Sequence, residues 1–402
     1  MTHMFKLIHS GTVTSVPGFL AGAAHAGIKS SNELDLAILY SEVPCTAAGV
    51  FTTAQIKSAP VILSQRHVSK RRTRAIVVNS GCANACVGEE GLAHALETAN
   101  LAATKLGIAT EEVLTASTGV IGVPLPMNCV RAGIEKIRLH RDGGHDFAKA
   151  MMTTDTRSKE LAVQVDMRGV KFTIGGAAKG AGMIHPNLAT MLCFIATDAS
   201  INIDFLQSSL QMAADCSFNM ISVDGDTSPS DCVFLLANGL VGNKSIGFDN
   251  GEAFQEALNE VCIYLAKSIA RDGEGATKLI EVTVEGATKQ AEARQAARTV
   301  ASSPLVKAAI HGNDPNWGRI VAALGRSGAE VREDKLDAYL NDVCVIKQGC
   351  PISFSKEEMN ADLSHNDNVL IRLCLNLGDA RATAWGCDLS EEYVTINSEY
   401  TT

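Results

Sequence analysis

The clearest periodic signal runs over residues 91–106. Leu92, Ala95, Leu96, Ala99, Ala102, Ala103 and Leu106 recur at helical spacing, and Gly107 ends the run. Two further helices are predicted over 204–218 and 254–269. In the second, Ala257, Leu258, Val261, Cys262, Leu265 and Ile269 form the apolar stripe. The alanine-rich stretch 288–300 reads as a fourth. Strand signals lie between them. Residues 34–39 are apolar except for Asp35 and read as a largely buried strand, residues 75–78 are rich in β-branched side chains, and 161–165 with 170–174 form a hairpin about Met167-Arg168-Gly169. A strand is predicted over 278–285. In 369–377, Val369, Ile371, Leu373, Leu375 and Leu377 alternate with their neighbours, which gives a strand with one strongly apolar face. Residues 115–124 are small and break the pattern, so they read as a loop. Hairpin-like spacing without regular βαβ units predicts an α+β fold with mixed sheets rather than a doubly wound one. There is no internal repeat and no low-complexity linker.

Length changes this picture little, since 402 residues suffice for one large core or two medium ones. Composition adds more. With 34 glycines and 5% aromatics, many tight turns and close backbone approaches are expected. The net charge of −9 argues against a nucleic-acid partner, because phosphate binding needs a basic face. The densest basic run, Lys70-Arg71-Arg72-Thr73-Arg74, reads as a solvated turn before a strand. Twelve cysteines sit mostly in apolar or small-residue runs, as Cys193, Cys262 and Cys374 do, and Cys82 and Cys86 have no histidine nearby in sequence. They read as free, mostly buried thiols in a reducing compartment, with no metal site. No basic segment leads into an apolar one at the start, and no apolar run approaches the length of a membrane span. The expected location is cytoplasmic, with no membrane partner.

The most unusual stretch is 175–198. Gly175-Gly176-Ala177-Ala178-Lys179-Gly180-Ala181-Gly182 is followed by Met183-Ile184-His185-Pro186-Asn187-Leu188-Ala189 and then by a strand-like run from Thr190. It is not a phosphate loop, because Lys179 is followed by Gly180 where that motif needs Ser or Thr. Nor is there a Gly-x-Ser-x-Gly elbow. From the residues alone, it is a glycine turn feeding a core strand. His185 reads as a turn residue, and Asp224, Asp226 and Asp231 as part of a glycine-rich structural turn without metal-loop spacing.

The segment 179–192 closely resembles the processing site of the ornithine acetyltransferase family. Other motifs share the resemblance in order along nearly the whole chain. They are Phe19-Leu20-Ala21-Gly22 with Gly27-Ile28-Lys29, Asn79-Ser80-Gly81-Cys82-Ala83-Asn84-Ala85-Cys86, and Ser222-Val223-Asp224-Gly225-Asp226-Thr227-Ser228. Further along come Arg271-Asp272-Gly273-Glu274-Gly275-Ala276-Thr277-Lys278, Gly312-Asn313-Asp314-Pro315-Asn316-Trp317-Gly318-Arg319, and the tail from Ala384-Trp385-Gly386 to Thr402. Departures are minor: Ala181 stands where serine is common, Gln55-Ile56-Lys57 replaces a more usual stretch, and Met220 occupies a frequently basic position.

The resemblance implies an amino-terminal-nucleophile-like fold and self-cleavage between Ala189 and Thr190. That cut leaves an alpha chain, 1–189, with the oxyanion-hole loop, and a beta chain, 190–402. A threonine hydroxyl is a poor nucleophile, but the α-amine freed by the cut can serve as its base, with a reference pKa of about 7.7–8.0. Mature Thr190 would then carry an acetyl group from N2-acetyl-L-ornithine to L-glutamate in a ping-pong reaction without metal or organic cofactor. Whether acetyl-CoA also loads Thr190 stays open. The oxyanion hole carries over to Thr118-Gly119, and substrate binding to Thr154, Lys179, Thr190, Glu274, Asn397 and Thr402. Lys179 suits a carboxylate, Glu274 an ammonium group, and Thr154 and Asn397 neutral hydrogen bonds. Taken singly, each of these would read as a surface or turn residue. The implied partners are small amino-acid substrates and sister chains in a heterotetramer of two alpha and two beta chains. The competing enzyme reading is a self-processed amidase or aminopeptidase with water as acceptor; a third class is a binding protein that never matures.

Overall fold

The computed structural model describes residues 5–70, 72–167, 169–185 and 191–399. Its architecture is α+β, built on two mixed sheets. The larger is nine-stranded and runs Phe5–Leu7, Lys159–Met167, Val170–Lys179, Leu192–Thr197, Cys232–Ala237, Leu36–Phe51, Thr73–Cys82 and Val113–Val120, with Phe19–Ala24 also paired to Leu36–Phe51. The second is seven-stranded, with Leu279–Ala287 lying between the central strand Asn368–Cys374 and Ala380–Cys387.

Leu192–Thr197 shows why its sequence is apolar without alternation. Its two faces are both covered, so every residue is buried. Cys193 and Ile195 pack on one side with the helices Ile203–Cys216 and Glu252–Arg271, the second of which also reaches the other sheet. Leu192, Phe194 and Ala196 pack on the other with Phe147 and Met151 of the helix Gly144–Met151. Phe194 stands 5.7 Å from Phe147 and 5.6 Å from Phe234, centroid to centroid. A third cluster lies where Gly88–Leu106 and two shorter helices cover Thr73–Cys82 and Val113–Val120.

Leu192–Thr197 pairs antiparallel with Val170–Lys179 and parallel with Cys232–Ala237. Strands from either side of the expected cut therefore lie in one sheet, and the 189/190 boundary does not divide it. A severed chain would stay joined by these ladders and by the shared core.

The predicted helices form as Gly88–Leu106, Ile203–Cys216, Glu252–Arg271 and Gln290–Ala301, and the hairpin as Lys159–Met167 with Val170–Lys179. Two expectations shift. Residues 113–120 are a strand, parallel to Thr73–Cys82, although 115–124 read as a loop. Its Thr, Ser and Ala side chains lack the bulk that marks a strand in sequence, and the ladder alone commits them to one. Asn79 and Ser80 also lie within a strand, not in a turn after it. Ser80 Oγ donates to the Ala150 carbonyl and Ser117 Oγ to Asn79 Oδ1, so these polar side chains tie strands and helix together.

Other motifs are knots of the same kind. Asp35, fully buried, accepts the amides of Ala26, Gly27, Ile28 and Lys29. Asp388 accepts from Thr277 and Lys278, while Lys278 Nζ reaches the carbonyls of Ile310 and Leu363 and the Asn313 side chain. The described cysteines are free thiols: Cys193 and Cys262 are buried as expected, whereas Cys374 is partly exposed and Cys86 and Cys350 are exposed.

Candidate active site

One cleft opens beyond the C-terminal ends of Val113–Val120 and Val170–Lys179, with about 580 Å³ of space including its mouth. Thr118, Gly119, Thr154, Lys179, Glu274 and Asn397 all line it, together with Thr153, Gly182, Met183, Ser228 and Ser230. Six residues named from sequence thus converge from five separate parts of the chain. Ala189, Thr190 and Thr402 lie outside the described residues.

Lys179 ends its strand with a side chain that is only 3% exposed. Its Nζ donates to Thr153 Oγ1 at 2.8 Å and, more weakly, to Thr118 Oγ1 at 3.4 Å. Burial pulls the Lys179 ammonium below the usual lysine range, while Asp155 opposes that pull. Glu274 faces it across the cleft. The Glu274 amide donates to the Ala181 carbonyl at 2.9 Å, and Asn397 Nδ2 donates to Glu274 Oε2 at 2.8 Å. The cleft therefore offers a cation at one wall and an amide-steadied carboxylate at the other, the pairing a zwitterionic ligand requires.

Gly182 lets that carboxylate sit where it does. A Cβ at 182 would stand 2.3 Å from Glu274 Oε1 and 2.4 Å from its Cδ. The clash falls on a flexible side chain, so Gly182→Ala is expected to leave the fold intact and to swing Glu274 away. Binding of an ammonium-bearing substrate should weaken by about tenfold or more, the scale of one charge-assisted contact. The measurement is KM for that substrate against the melting temperature. An unchanged KM would mean that the carboxylate makes no contact with it.

Residues 222–231 bond the chain before and after the expected cut, at Met183, Ile184 and Met191. Asp224 accepts the amides of Met183 at 2.6 Å and Ile184 at 2.9 Å. Burial pushes its carboxyl up to about 6. Asp231, fully buried, accepts the Met191 amide at 2.9 Å through Oδ1, and burial pushes its carboxyl well up. Both aspartates serve the backbone, as the structural-turn reading expected. Among the described residues no group of three or more His, Cys, Asp or Glu is placed to hold a metal ion. His185 Nδ1 lies 3.1 Å from Ser222 Oγ, a loop contact outside the cleft lining.

Sequence reasoning missed Thr153, Ser228, Ser230 and the buried Asp155 beneath them. Thr153 and Asp155 flank the named Thr154, and Ser228 ends the 222–228 motif, but nothing in their spacing distinguished them from turn residues.

The family model described as the ArgJ family matches residues 20–402. The arginine biosynthesis bifunctional protein ArgJ of Dehalococcoides mccartyi is 53% identical over 406 residues, covering 100% of each chain. Its namesake from Symbiobacterium thermophilum is 51% identical over 399 residues, 98% of this chain and 99% of the relative. Among solved structures, the arginine biosynthesis bifunctional protein argJ of Bacillus halodurans is 45% identical, with a TM-score of 0.50 over 52% of this chain and 98% of that one.

Proposed function

The chain belongs to the ArgJ family, and on that premise we propose that it is a self-processing acetyltransferase of arginine biosynthesis, moving acetyl from N2-acetyl-L-ornithine to L-glutamate. The cut between Ala189 and Thr190 gives chains 1–189 and 190–402. Thr190 Oγ attacks the acetyl carbonyl while the α-amine of the same residue takes the hydroxyl proton. Donors at Thr118 and Gly119 receive the oxyanion. The amine passes its proton to the departing ornithine nitrogen, leaving acetyl-Thr190. Glutamate then enters, its amine takes the acetyl group, and Thr190 is restored. These steps call for neither metal nor organic cofactor.

Lys179 takes a substrate carboxylate, Glu274 with Asn397 an ammonium group, and Thr154 a neutral hydrogen bond, with Thr402 as a further substrate-binding residue. Two copies of each chain assemble as a heterotetramer in the cytoplasm. The observation that carries the reading is the convergence of Thr118, Gly119, Thr154, Lys179, Glu274 and Asn397 on one cleft.

Mass spectrometry after brief exposure to N2-acetylornithine tests it. The 190–402 fragment should gain one acetyl group, and added glutamate should discharge it as N-acetylglutamate with ping-pong kinetics. Release of acetate with glutamate left untouched would overturn the transfer reading in favour of an amidase. The word bifunctional in the relatives' names favours acetyl-CoA as a second donor, and the same experiment with acetyl-CoA should load the same fragment.

A further inference from the structure

We propose that Asp155 is a positioning residue: it keeps the Lys179 ammonium charged and aimed into the cleft, and binds it to the Thr153–Thr154 wall as one carboxylate-recognising unit. This rests on reading Lys179 as the group that meets the substrate carboxylate.

The Asp155 side chain is fully buried and lies beneath the cleft without lining it. Its two oxygens hold both walls. Oδ1 accepts the Gly180 amide at 2.6 Å, next to Lys179, and Oδ2 accepts the Thr153 amide at 3.0 Å, next to Thr154. The Lys179 ammonium stands 3.7 Å from Oδ2, an ion pair without a hydrogen bond. Of three N–H groups on Lys179, one is well satisfied by Thr153 and one weakly by Thr118. Among the described residues this buried cation therefore has a third N–H without a hydrogen-bond partner.

Charge balance makes Asp155 the deciding anion. Lys159 donates to Asp155 Oδ1 at 2.7 Å and to Asp272 Oδ2 at 2.6 Å. Asp272 in turn is fixed by the Thr156 amide at 3.1 Å. Asp272 also meets Arg157 Nε at 3.6 Å, so Lys159 is paired with both carboxylates, whereas Lys179 has Asp155 as its ion-pair partner among the described residues. The other charged groups that act on Lys179 are Glu274 and Asp231, which raise its proton affinity, and Lys159 and Lys29, which lower it. Burial would push the Asp155 carboxyl up, but Lys179 and Lys159 reverse this and hold it well below the usual carboxylate range. Without the Asp155 charge, Lys159 keeps Asp272 while Lys179 has no other carboxylate within ion-pair distance among the described residues, and Lys179 would lose its proton at lower pH.

The test is the pH dependence of KM for glutamate and of kcat, on mature protein made from the full chain. In wild type, KM should rise as pH increases through the point where Lys179 deprotonates. Asp155→Asn should start that rise at least about one pH unit earlier and raise KM at neutral pH by about tenfold or more, with kcat changed far less. Asp155→Glu should restore part of the profile. Lys159→Gln removes a competing cation and should move the rise to higher pH, so the proposal stays testable if Asp155→Asn does not fold. Lys179→Met separates the two layers. If it leaves KM unchanged, Lys179 does not meet the carboxylate, and the proposal falls with that reading. If it raises KM while neither the Asp155 nor the Lys159 variants move the profile, the positioning role alone is overturned.

Discussion

Thr190→Ala is expected to leave a single unbroken chain of 402 residues and to lower acetyl transfer by roughly a thousandfold or more, the scale on which loss of a covalent nucleophile is read. The two losses share a cause. Alanine has no oxygen to attack the preceding carbonyl, so no α-amine is freed, and none to carry acetyl afterwards. The fold should survive, because the next residue is held independently: the Met191 amide donates to the buried Asp231, and Leu192–Thr197 pairs on both edges. Intact mass separates the forms, and a thermal melt checks folding. Thr190→Ser keeps a hydroxyl at the same place and should retain part of both activities. Two fragments from Thr190→Ala, or transfer near the wild-type rate, would sink the nucleophile assignment.

Gly119→Ala should be nearly as damaging, for a reason in the backbone. Gly119 has a φ of +127°, where side chains are rarely tolerated. A Cβ there would stand 2.4 Å from the Gly81 carbonyl carbon and 2.6 Å from the Cys82 nitrogen. Those atoms belong to the neighbouring strand in a tight parallel register, Ser80 with Thr118 and Gly81 with Gly119, and a backbone cannot swing aside as a side chain can. The end of Val113–Val120 must shift, and the proposed oxyanion donors shift with it. Transfer should fall about 10²–10³-fold, as when an oxyanion-hole donor is lost. The strain should also cost about 1–3 kcal/mol of stability. Gly122→Ala is the control, since Gly122 has φ +80° but nothing within 4 Å of its Cβ position. It should carry strain and keep its rate. Equal loss of rate in both variants would mean that strain, not displacement of the donors, is responsible.

Several elements were legible without coordinates. Gly88–Leu106 and Glu252–Arg271 announced themselves because each buries one stripe, and a buried stripe leaves a period in the sequence. Val113–Val120 left none: it is buried through most of its length, yet its Thr, Ala, Ser and Gly residues resemble a loop. Its conformation comes from the neighbouring ladder. The site divides along the same line. Lys179 and Glu274 taken singly looked like turn residues, because charged side chains are usually solvated. Both are buried, and what permits it is a set of partners far off in sequence: Asp155 and Thr153 for one, Asn397 for the other.

By itself the sequence determined the α+β class and four of the eleven α-helices among the described residues, while the chemistry expected of Thr190 came with the family resemblance, since its own surroundings read as a turn feeding a strand. Family motifs named the supporting residues without saying how they meet. Tertiary structure alone decided that Thr118, Lys179, Glu274 and Asn397 share one cleft, and that Asp155 and Asp272 lie beneath it to balance Lys159 and Lys179. Periodicity records whether a position faces the core. It does not record which distant charge will be waiting there, and a buried ammonium group keeps its proton only when one is.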